Sequence, residues 1–335
     1  MRKKTAMKRE IVMKNLKINL WDLDITNKKL AVISHVNPDA DSLGSIMALG
    51  LALQKNCQSI TICVCDHIPN ALSFLPFINT ATNYHLTEST QYDICFVLDC
   101  ADEKRLGESQ GILDKSHQII NIDHHVSNGF FGDINSVNPH ASSTSEIIYE
   151  LLIDNNITIT PDIATCLYAG IVGDTGNFLY DNTSAQTHYI AGRLKEYDAQ
   201  SQLVSYHLYQ NKSLGSAKFQ GYVLSQFESL CGGKVAIFSI TLELLQKFNV
   251  SIDDIDYVSS IIRDIEGIEV AVVLKEVDSE VTKVSFRSKC DFDVNQLAQK
   301  FGGGGHIKAS GATIFHEIEQ AKKMVQKQLE IEIRR

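Results

Sequence analysis

The sequence has no apolar run long enough to cross a membrane. Its longest, residues 147–153 and 164–172, are short or interrupted, well under the roughly 20 residues that a spanning helix needs. Residues 1–17 are basic but lack the apolar core and small-residue cleavage site of a secretory signal. Met1, Met7 and Met13 each offer a start, and residues 1–28 are expected to form a flexible lead. Positive charge is scarce as well. The formal net charge is −9, whereas a protein that holds long duplexes draws its affinity from neutralised phosphates and is usually basic. This argues against duplex-specific binding and leaves room for a small substrate, or for carboxylates gathered around metals. The eight cysteines show no zinc-type pairing; Cys63 and Cys65 fall on one face of a strand and the others are scattered. That is the pattern of reduced thiols in a cytoplasmic core. Neither an internal repeat nor a low-complexity tract is present.

What the chain does have is size and alternation. Its 335 residues, 44% hydrophobic and 21% charged, suit two globular domains. Residues 30–34 (LAVIS), 59–65 (SITICVC), 92–98 (YDICFVL) and 117–122 (HQIINI) are apolar strand-like runs, separated by helical patterns such as residues 42–54. Continuously apolar strands alternating with helices predict a doubly wound, mostly parallel α/β sheet. Ser143-x-x-Glu146 reads as a capping box opening a helix over 145–152, and Pro161 suits the first turn of the next, through Val172. Residues 181–227 read as polar and helical. A new strand pattern begins at residues 234–240 and continues through 268–275, 282–287 and 312–315, with a short helix at 296–300 and a last helix over 317–329. The expected organisation is a lead (1–28), a catalytic domain (29–182), a helical connector (183–228) and a smaller α/β domain (229–335), with a cleft between the domains.

Acidic and histidine residues fall just after the apolar elements. The first strand ends in His35, followed by Asp39 and Asp41; the third ends at Asp99; the fourth ends in Asp123-His124-His125; and Gly173-Asp174-Thr175-Gly176-Asn177 closes the apolar helix. Ligands of open α/β sheets bind beyond the carboxyl ends of the strands. Two carboxylates in one turn repel unless one is protonated or a cation intervenes. Each cluster alone has an ordinary reading: Asp39 or Asp41 as a helix cap, Asp99 and Asp123 as turn residues, His124 as a core histidine, G-D-T-G as a turn. Together, oxygen and imidazole donors suit a Mn²⁺-like ion better than a thiolate zinc site. Two such ions favour displacement at phosphorus. Gly44 permits close packing at a helix start.

These clusters, in this order, resemble the four motifs of the DHH phosphoesterase family, whose name is the triplet at residues 123–125. Residues 286–289 (FRSK) and 302–306 (GGGGH) resemble the DHH-associated domain of its nucleic-acid-processing branch. In length and motif wording the likeness is to the NrnA type, oligoribonucleases that are also 3′-phosphoadenosine-5′-phosphate phosphatases. The resemblance implies that His35, Asp39 and Asp99 hold one divalent ion, and that Asp41, Asp99, His124 and Asp174 hold a second, with Asp99 bridging. It implies that the metals are Mn²⁺, with Mg²⁺ or Co²⁺ as alternatives, and that hydroxide held between the two ions attacks phosphorus. Asp99 is thereby catalytic as well. His125 would face the phosphate or aid the leaving group, with Asp123 orienting an imidazole. The glycine run can bring backbone N–H groups to an anion and Arg287 can fork onto a phosphate. Arg287, Ser288, Gly303, Gly304, Gly305 and His306 are accordingly the expected substrate contacts.

The expected substrates are short single-stranded oligoribonucleotides, or their DNA counterparts, cut to mononucleotides, together with the 3′-phosphate of 3′-phosphoadenosine-5′-phosphate. A cyclic-dinucleotide phosphodiesterase acting on c-di-AMP or pApA shares every metal motif and is the alternative. A family II pyrophosphatase shares the four motifs but not the glycine run, and a nucleotide sensor would have lost a metal position. A homodimer is expected from the resemblance. Arg105, Asn128, His140 and Trp21 are softer candidates; Asn128 is either a supporting residue or a turn former, and Trp21 reads as packing.

Overall fold

The computed structural model describes residues 17–333 apart from residues 88 and 256. The chain divides into two compact units, Met1–Asn211 and Lys212–Arg335. No helix among the described residues is long and apolar enough to cross a membrane.

The first unit is built on an all-parallel sheet in the order β2-β1-β3-β4-β5, from β1 (Lys29–Ile33), β2 (Ser59–Cys63), β3 (Tyr92–Leu98), β4 (Ser116–Asp123) and β5 (Ile134–Val137). The chain also forms α1 (Ala40–Leu53), a short α2 (Gly111–Asp114), α3 (Thr144–Asp154), α4 (Pro161–Asp174), α5 (Ala185–Glu196) and α6 (Ser201–Ser205). Side chains are buried on both faces of β1, β3 and β4, which is why those strands read as unbroken apolar runs. One face packs on α1, α3 and α4 through residues such as Val32, Phe96, Leu43 and Leu167; the other buries Ile33, Val97, Leu106 and Ile112. Strand order reverses between β1 and β3, the position where doubly wound sheets open a crevice at their carboxyl ends.

Two helices meet closely above that crevice. A Cβ on Gly44 of α1 would stand 2.5 Å from the Cys166 carbonyl oxygen of α4, and one on Gly170 would stand 2.0 Å from Ser145 Oγ and 2.8 Å from Asp41 Oδ1. Both glycines exist to let backbone and carboxylate approach. The Ser143 cap forms only half of the expected capping box. Ser143 Oγ accepts from Glu146 N (3.1 Å), but Glu146 turns away and accepts from Ser142 Oγ (2.6 Å) and Thr187 Oγ1 (2.9 Å). Its carboxylate fastens α5 to the start of α3.

The second unit carries a six-stranded sheet, β10-β11-β9-β8-β7-β6, antiparallel except between β7 and β8. Its elements are α7 (Leu214–Gln226), β6 (Glu228–Leu230), β7 (Val235–Ile240), α8 (Leu242–Phe248), α9 (Val258–Arg263), β8 (Val270–Glu276), β9 (Thr282–Ser288), α10 (Val294–Gln299), β10 (Gly304–His306), β11 (Ala309–Ile314) and α11 (Ile318–Ile333). One sheet face packs Val272, Phe286 and Leu297 with α11; the other packs Phe238 and Val273 with Phe219 of α7.

The lead lies outside the described residues as far as residue 16. From residue 17 onward it is not loose: Ile18, Leu20 and Ile25 are buried, and Trp21 Nε1 donates to the Asn155 carbonyl (3.1 Å). Of the helices expected in the connector, α5 and α6 fall in the first unit and α7 in the second. The sequence reading missed β5, β6 and β10, all short. No disulfide joins any of the eight cysteines.

Gly44 supplies a test of the α1–α4 contact. Helix propensity alone predicts that Gly44→Ala stabilises by about 1 kcal/mol. The clash with backbone atoms predicts overpacking on the order of 1–3 kcal/mol. The variant is expected to melt below the wild type in calorimetry, and a rise in Tm would show that the two helices can part without cost.

Candidate metal centre

Each cluster of acidic and histidine residues sits where a strand or helix ends, and the fold brings all four to one place. β1 delivers His35 and β3 delivers Asp99; Asp39 caps α1, Asp41 lies in its first turn, β4 leads into residues 123–125, and Asp174 ends α4. His35, Asp39 and Asp99 form one group whose donor atoms lie within 4.8 Å of one another, and Asp41, His124 and Asp174 form another. Asp99 stands between them. Its Oδ2 is 3.3 Å from His35 Nε2 and its Oδ1 is 3.5 Å from His124 Nε2. His35 Nε2 is 3.8 Å from Asp39 Oδ2, and His124 Nε2 is 3.2 Å from Asp174 Oδ2.

The surroundings fix these donors. His35 Nδ1 donates to the Val36 carbonyl (2.7 Å), so its lone pair is left on Nε2, facing the carboxylates. Asp39 divides its oxygens between tasks: Oδ1 accepts the cap bond from Ser42 N (2.9 Å) while Oδ2 faces His35. Asp41 is wholly buried and accepts from the first amides of α3, Thr144 N on Oδ2 (2.6 Å) and Ser145 N on Oδ1 (2.8 Å). Thr144 Oγ1 also donates to Asp99 Oδ1 (3.1 Å). Asp99 has a left-handed φ of 54°, and its N–H still pairs with the Ile122 carbonyl (3.0 Å). The turn therefore begins while the sheet register is still held.

Asp123 is fully buried and holds no place in the cation-facing set. Its Oδ1 accepts from His125 Nδ1 (2.7 Å) and His124 N (2.9 Å), and its Oδ2 accepts from Asn128 Nδ2 (2.6 Å). Asn121, inside β4, accepts from Asn128 (2.8 Å) and donates to the Cys100 carbonyl (3.1 Å). This polar network holds the triplet rigid. Asn128 is thus a supporting residue, while His140 is exposed; the Arg105 carbonyl accepts from Val36 N (2.7 Å), next to His35, and the Arg105 charge acts on His35.

The electrostatics are those of too many carboxylates in one pocket. Burial, then the charge of Asp99, pushes Asp41 up to about 7. Burial and the charges of Asp41, Asp39 and Asp99 raise Asp174 well above the usual carboxylate range. Burial would raise Asp99 too, but the His35 hydrogen bond and the charges of His124 and His125 outweigh it and hold its carboxyl low. Burial disfavours charge on His35, His124 and His125, yet neighbouring carboxylates leave all three raised. A divalent ion at each group would allow all the carboxylates to ionise. The hard oxygen and imidazole donors are of the right chemistry.

In the second unit the expected substrate contacts part company. Arg287 is half-buried on β9, and its Nη1 donates to the Phe286 carbonyl (3.0 Å). Its backbone pairs with Ala309, which pairs in turn with His306, so the three occupy one row across the sheet. The side chain of His306 lies outside the described residues. Gly302 and Gly305 have φ of 72° and 146°, and a Cβ on Gly303 would stand 2.1 Å from the Gly311 carbonyl. Gly304 starts the strand. Ser288 does not fit the expectation: it is buried, and its hydroxyl donates to the Cys290 carbonyl (3.1 Å), closing its own turn.

The sequence reading missed Thr144, Asn121 and Gly170. Thr144 follows the Ser143 cap, so its N–H was bound to be free for a carboxylate, and Asn121 is a polar residue amid an apolar strand. Gly170 left no signal that separates it from an ordinary helix glycine.

Residues 29–171 match the family described as DHH family, N-terminal domain, and residues 232–331 match the DHHA1 domain. The chain is 32% identical over 301 residues to the bifunctional oligoribonuclease and PAP phosphatase NrnA of Bacillus subtilis, covering 89% of this chain and 91% of that one. It is 31% identical to the Thermus thermophilus protein of the same name, covering 88% and 87%. The crystal structure of an exopolyphosphatase-related protein from Bacteroides fragilis superposes with a TM-score of 0.90 at 27% identity, over 97% of this chain and 99% of that one.

The raised and lowered groups give metal-free stability a definite pH dependence. Folded Asp41 keeps to about pH 7 a proton that an unfolded chain sheds near pH ~4, so stability falls as pH rises through that window. Asp174 acts in the same direction. The raised histidines contribute fully below about pH 6.5 and lose that contribution as pH climbs through their folded values. Asp99 has the opposite sign, its contribution being lost only on acidification below about pH 4. Metal-stripped protein is therefore expected to melt at a lower temperature at pH 8 than at pH 5.5, and Mn²⁺ is expected to restore more at pH 8. A metal-free Tm that rises across this range would contradict the assignment.

Proposed function

The chain belongs to the DHH family of phosphoesterases, and from that premise we propose that it hydrolyses very short oligoribonucleotides to mononucleotides and removes the 3′-phosphate of 3′-phosphoadenosine-5′-phosphate. The observation that carries the reading is the placement of Asp99 between two donor groups, each complete in carboxylate and imidazole. The names of the Bacillus subtilis and Thermus thermophilus relatives support the substrates.

Two divalent ions, Mn²⁺ foremost, would be held by His35, Asp39 and Asp99 and by Asp41, Asp99, His124 and Asp174. When bound they supply hydroxide at neutral pH and neutralise charge that gathers on the phosphoryl oxygens. The remaining work falls to the chain. His35 and His124 would present Nε2 to the ions, and Asp41 is steered by the α3 amides. His125 is held by Asp123 through Nδ1, and against its burial that carboxylate favours the imidazolium. Its Nε2–H can therefore give a proton to the leaving ester oxygen. In the second unit, Arg287, the backbone of residues 302–305 and His306 would hold a substrate phosphate, with Arg287 forking onto two of its oxygens.

Purified protein with Mn²⁺ is expected to turn over a labelled diribonucleotide and the bisphosphate, to be silenced by EDTA, and to lose at least about 10³-fold in kcat as Asp99→Ala. Inactivity on both substrates, or an active Asp99→Ala, would overturn the proposal. Rates on c-di-AMP, pApA and pyrophosphate in the same assay set the substrate preference. Arg287→Ala is expected to raise KM roughly 10–100-fold, as loss of a charged hydrogen bond implies, with kcat much less affected. An unchanged KM would remove Arg287 from the binding set.

A further inference from the structure

The segment after Asp174 winds in a direction that residues other than glycine avoid, and it delivers exposed apolar side chains beside the metal centre. Gly176, Asn177 and Phe178 have φ of 55°, 60° and 65°. A left-handed Phe persists only where its surroundings over-determine it. Here Asn177 N donates to the Val172 carbonyl (2.8 Å), and Phe178 N donates to Thr175 Oγ1 (3.0 Å), which itself donates to the Ile171 carbonyl (2.6 Å). The Phe178 ring stacks on His188, centroids 5.2 Å apart.

The product of this turn is a pair of outward side chains. Leu179 is 82% exposed and Tyr180 38% exposed, although the N–H groups of both are tied to the Thr175 carbonyl (3.0 Å each). The Tyr180 ring lies on Gly176, where a Cβ would meet ring carbons at 2.4–2.7 Å. Asn182 Nδ2 donates to the Asp174 carbonyl (3.2 Å), fastening the far end of the segment to the metal-facing residue itself. Tyr209 completes the patch. Its hydroxyl donates to the Val172 carbonyl (3.0 Å) while the residue is 39% exposed. Burial of that hydroxyl, then Tyr180, raises the Tyr209 phenol.

A carboxylate–histidine cluster would bind the phosphate of many compounds, inorganic ones included. An aromatic and apolar rim on the same turn as one of its ligands selects for a phosphate that carries a planar, apolar group. We propose that Tyr180, flanked by Leu179 and Tyr209, is the seat on which a substrate nucleobase stacks while its phosphate ester lies at the Asp99 cluster. This assignment rests on the phosphoesterase reading above. Stacking on an aromatic ring is tolerant of base identity and is worth roughly 5–150-fold per base in affinity. The seat therefore distinguishes nucleotides from bare phosphates without reading sequence.

The experiment compares kcat/KM of the Mn²⁺-loaded protein on a dinucleotide with that on analogues lacking the base at one position or the other. Wild type is expected to favour the intact dinucleotide roughly 5–150-fold over at least one analogue. Tyr180→Phe should keep that ratio, while Tyr180→Ala should bring it close to one. Binding of a phosphorothioate dinucleotide containing 2-aminopurine gives a readout separate from turnover. Its fluorescence should be quenched by wild type and Tyr180→Phe, and not by Tyr180→Ala. A ratio that survives in Tyr180→Ala, or equal losses on intact and base-free substrates, would overturn the seat. No nucleotide turnover by wild type would remove the phosphoesterase reading along with it, whereas turnover without base preference would remove the seat alone.

Discussion

The centre depends on one carboxylate being shared. Asp99 turns one oxygen toward His35 and the other toward His124, at 3.3 and 3.5 Å. Without it the two donor groups would be separate, and His35 would keep only Asp39 beside it in its group. Its position costs something: a buried anion on a left-handed backbone carries strain on the order of 1–3 kcal/mol. The cost is offset by the histidines around it, by Thr144 Oγ1, and by an N–H that stays bonded to β4. The parallel sheet matters because its switch between β1 and β3 brings His35 and Asp99 together at neighbouring strand ends.

Most of the surrounding residues serve structure and chemistry at once. Asp39 caps α1 with one oxygen and faces His35 with the other. Asp41 joins the N-terminus of α3 to the cluster, and Gly170 leaves room for its carboxylate. Asp123 holds His125 by one oxygen and Asn128 by the other. Of the ordinary readings, the helix cap holds for Asp39, while Asp123 lies in β4. Substitution of any one of these residues is expected to disturb folding as well as the cluster, so stability and activity have to be measured side by side.

The parallel sheet was legible because β1, β3 and β4 are buried on both faces and show it as unbroken apolar runs. The clustering of carboxylates and histidines was legible because strand ends face the crevice and the sequence marks those ends with His35, Asp99 and residues 123–125. What escaped was what period and composition do not encode. β5 has only four residues, most of them half-buried, too few to show an alternation. β10 is written in glycine and histidine, and it is a strand because β11 pairs with it rather than by propensity. Ser288 looked like a phosphate contact beside Arg287, but the alternation of β9 sends neighbouring side chains to opposite faces, and Ser288 falls on the buried one. Glu146 abandoned its cap for Ser142 and Thr187, partners in segments that sequence spacing does not connect to it.

The shared-carboxylate account is tested most directly by anomalous diffraction at the manganese edge from crystals grown or soaked with Mn²⁺. The account requires two anomalous peaks in the first unit, one coordinated by His35, Asp39 and Asp99 and the other by Asp41, His124, Asp174 and the second oxygen of Asp99. A single peak, or a pair of peaks that Asp99 does not bridge, would contradict it.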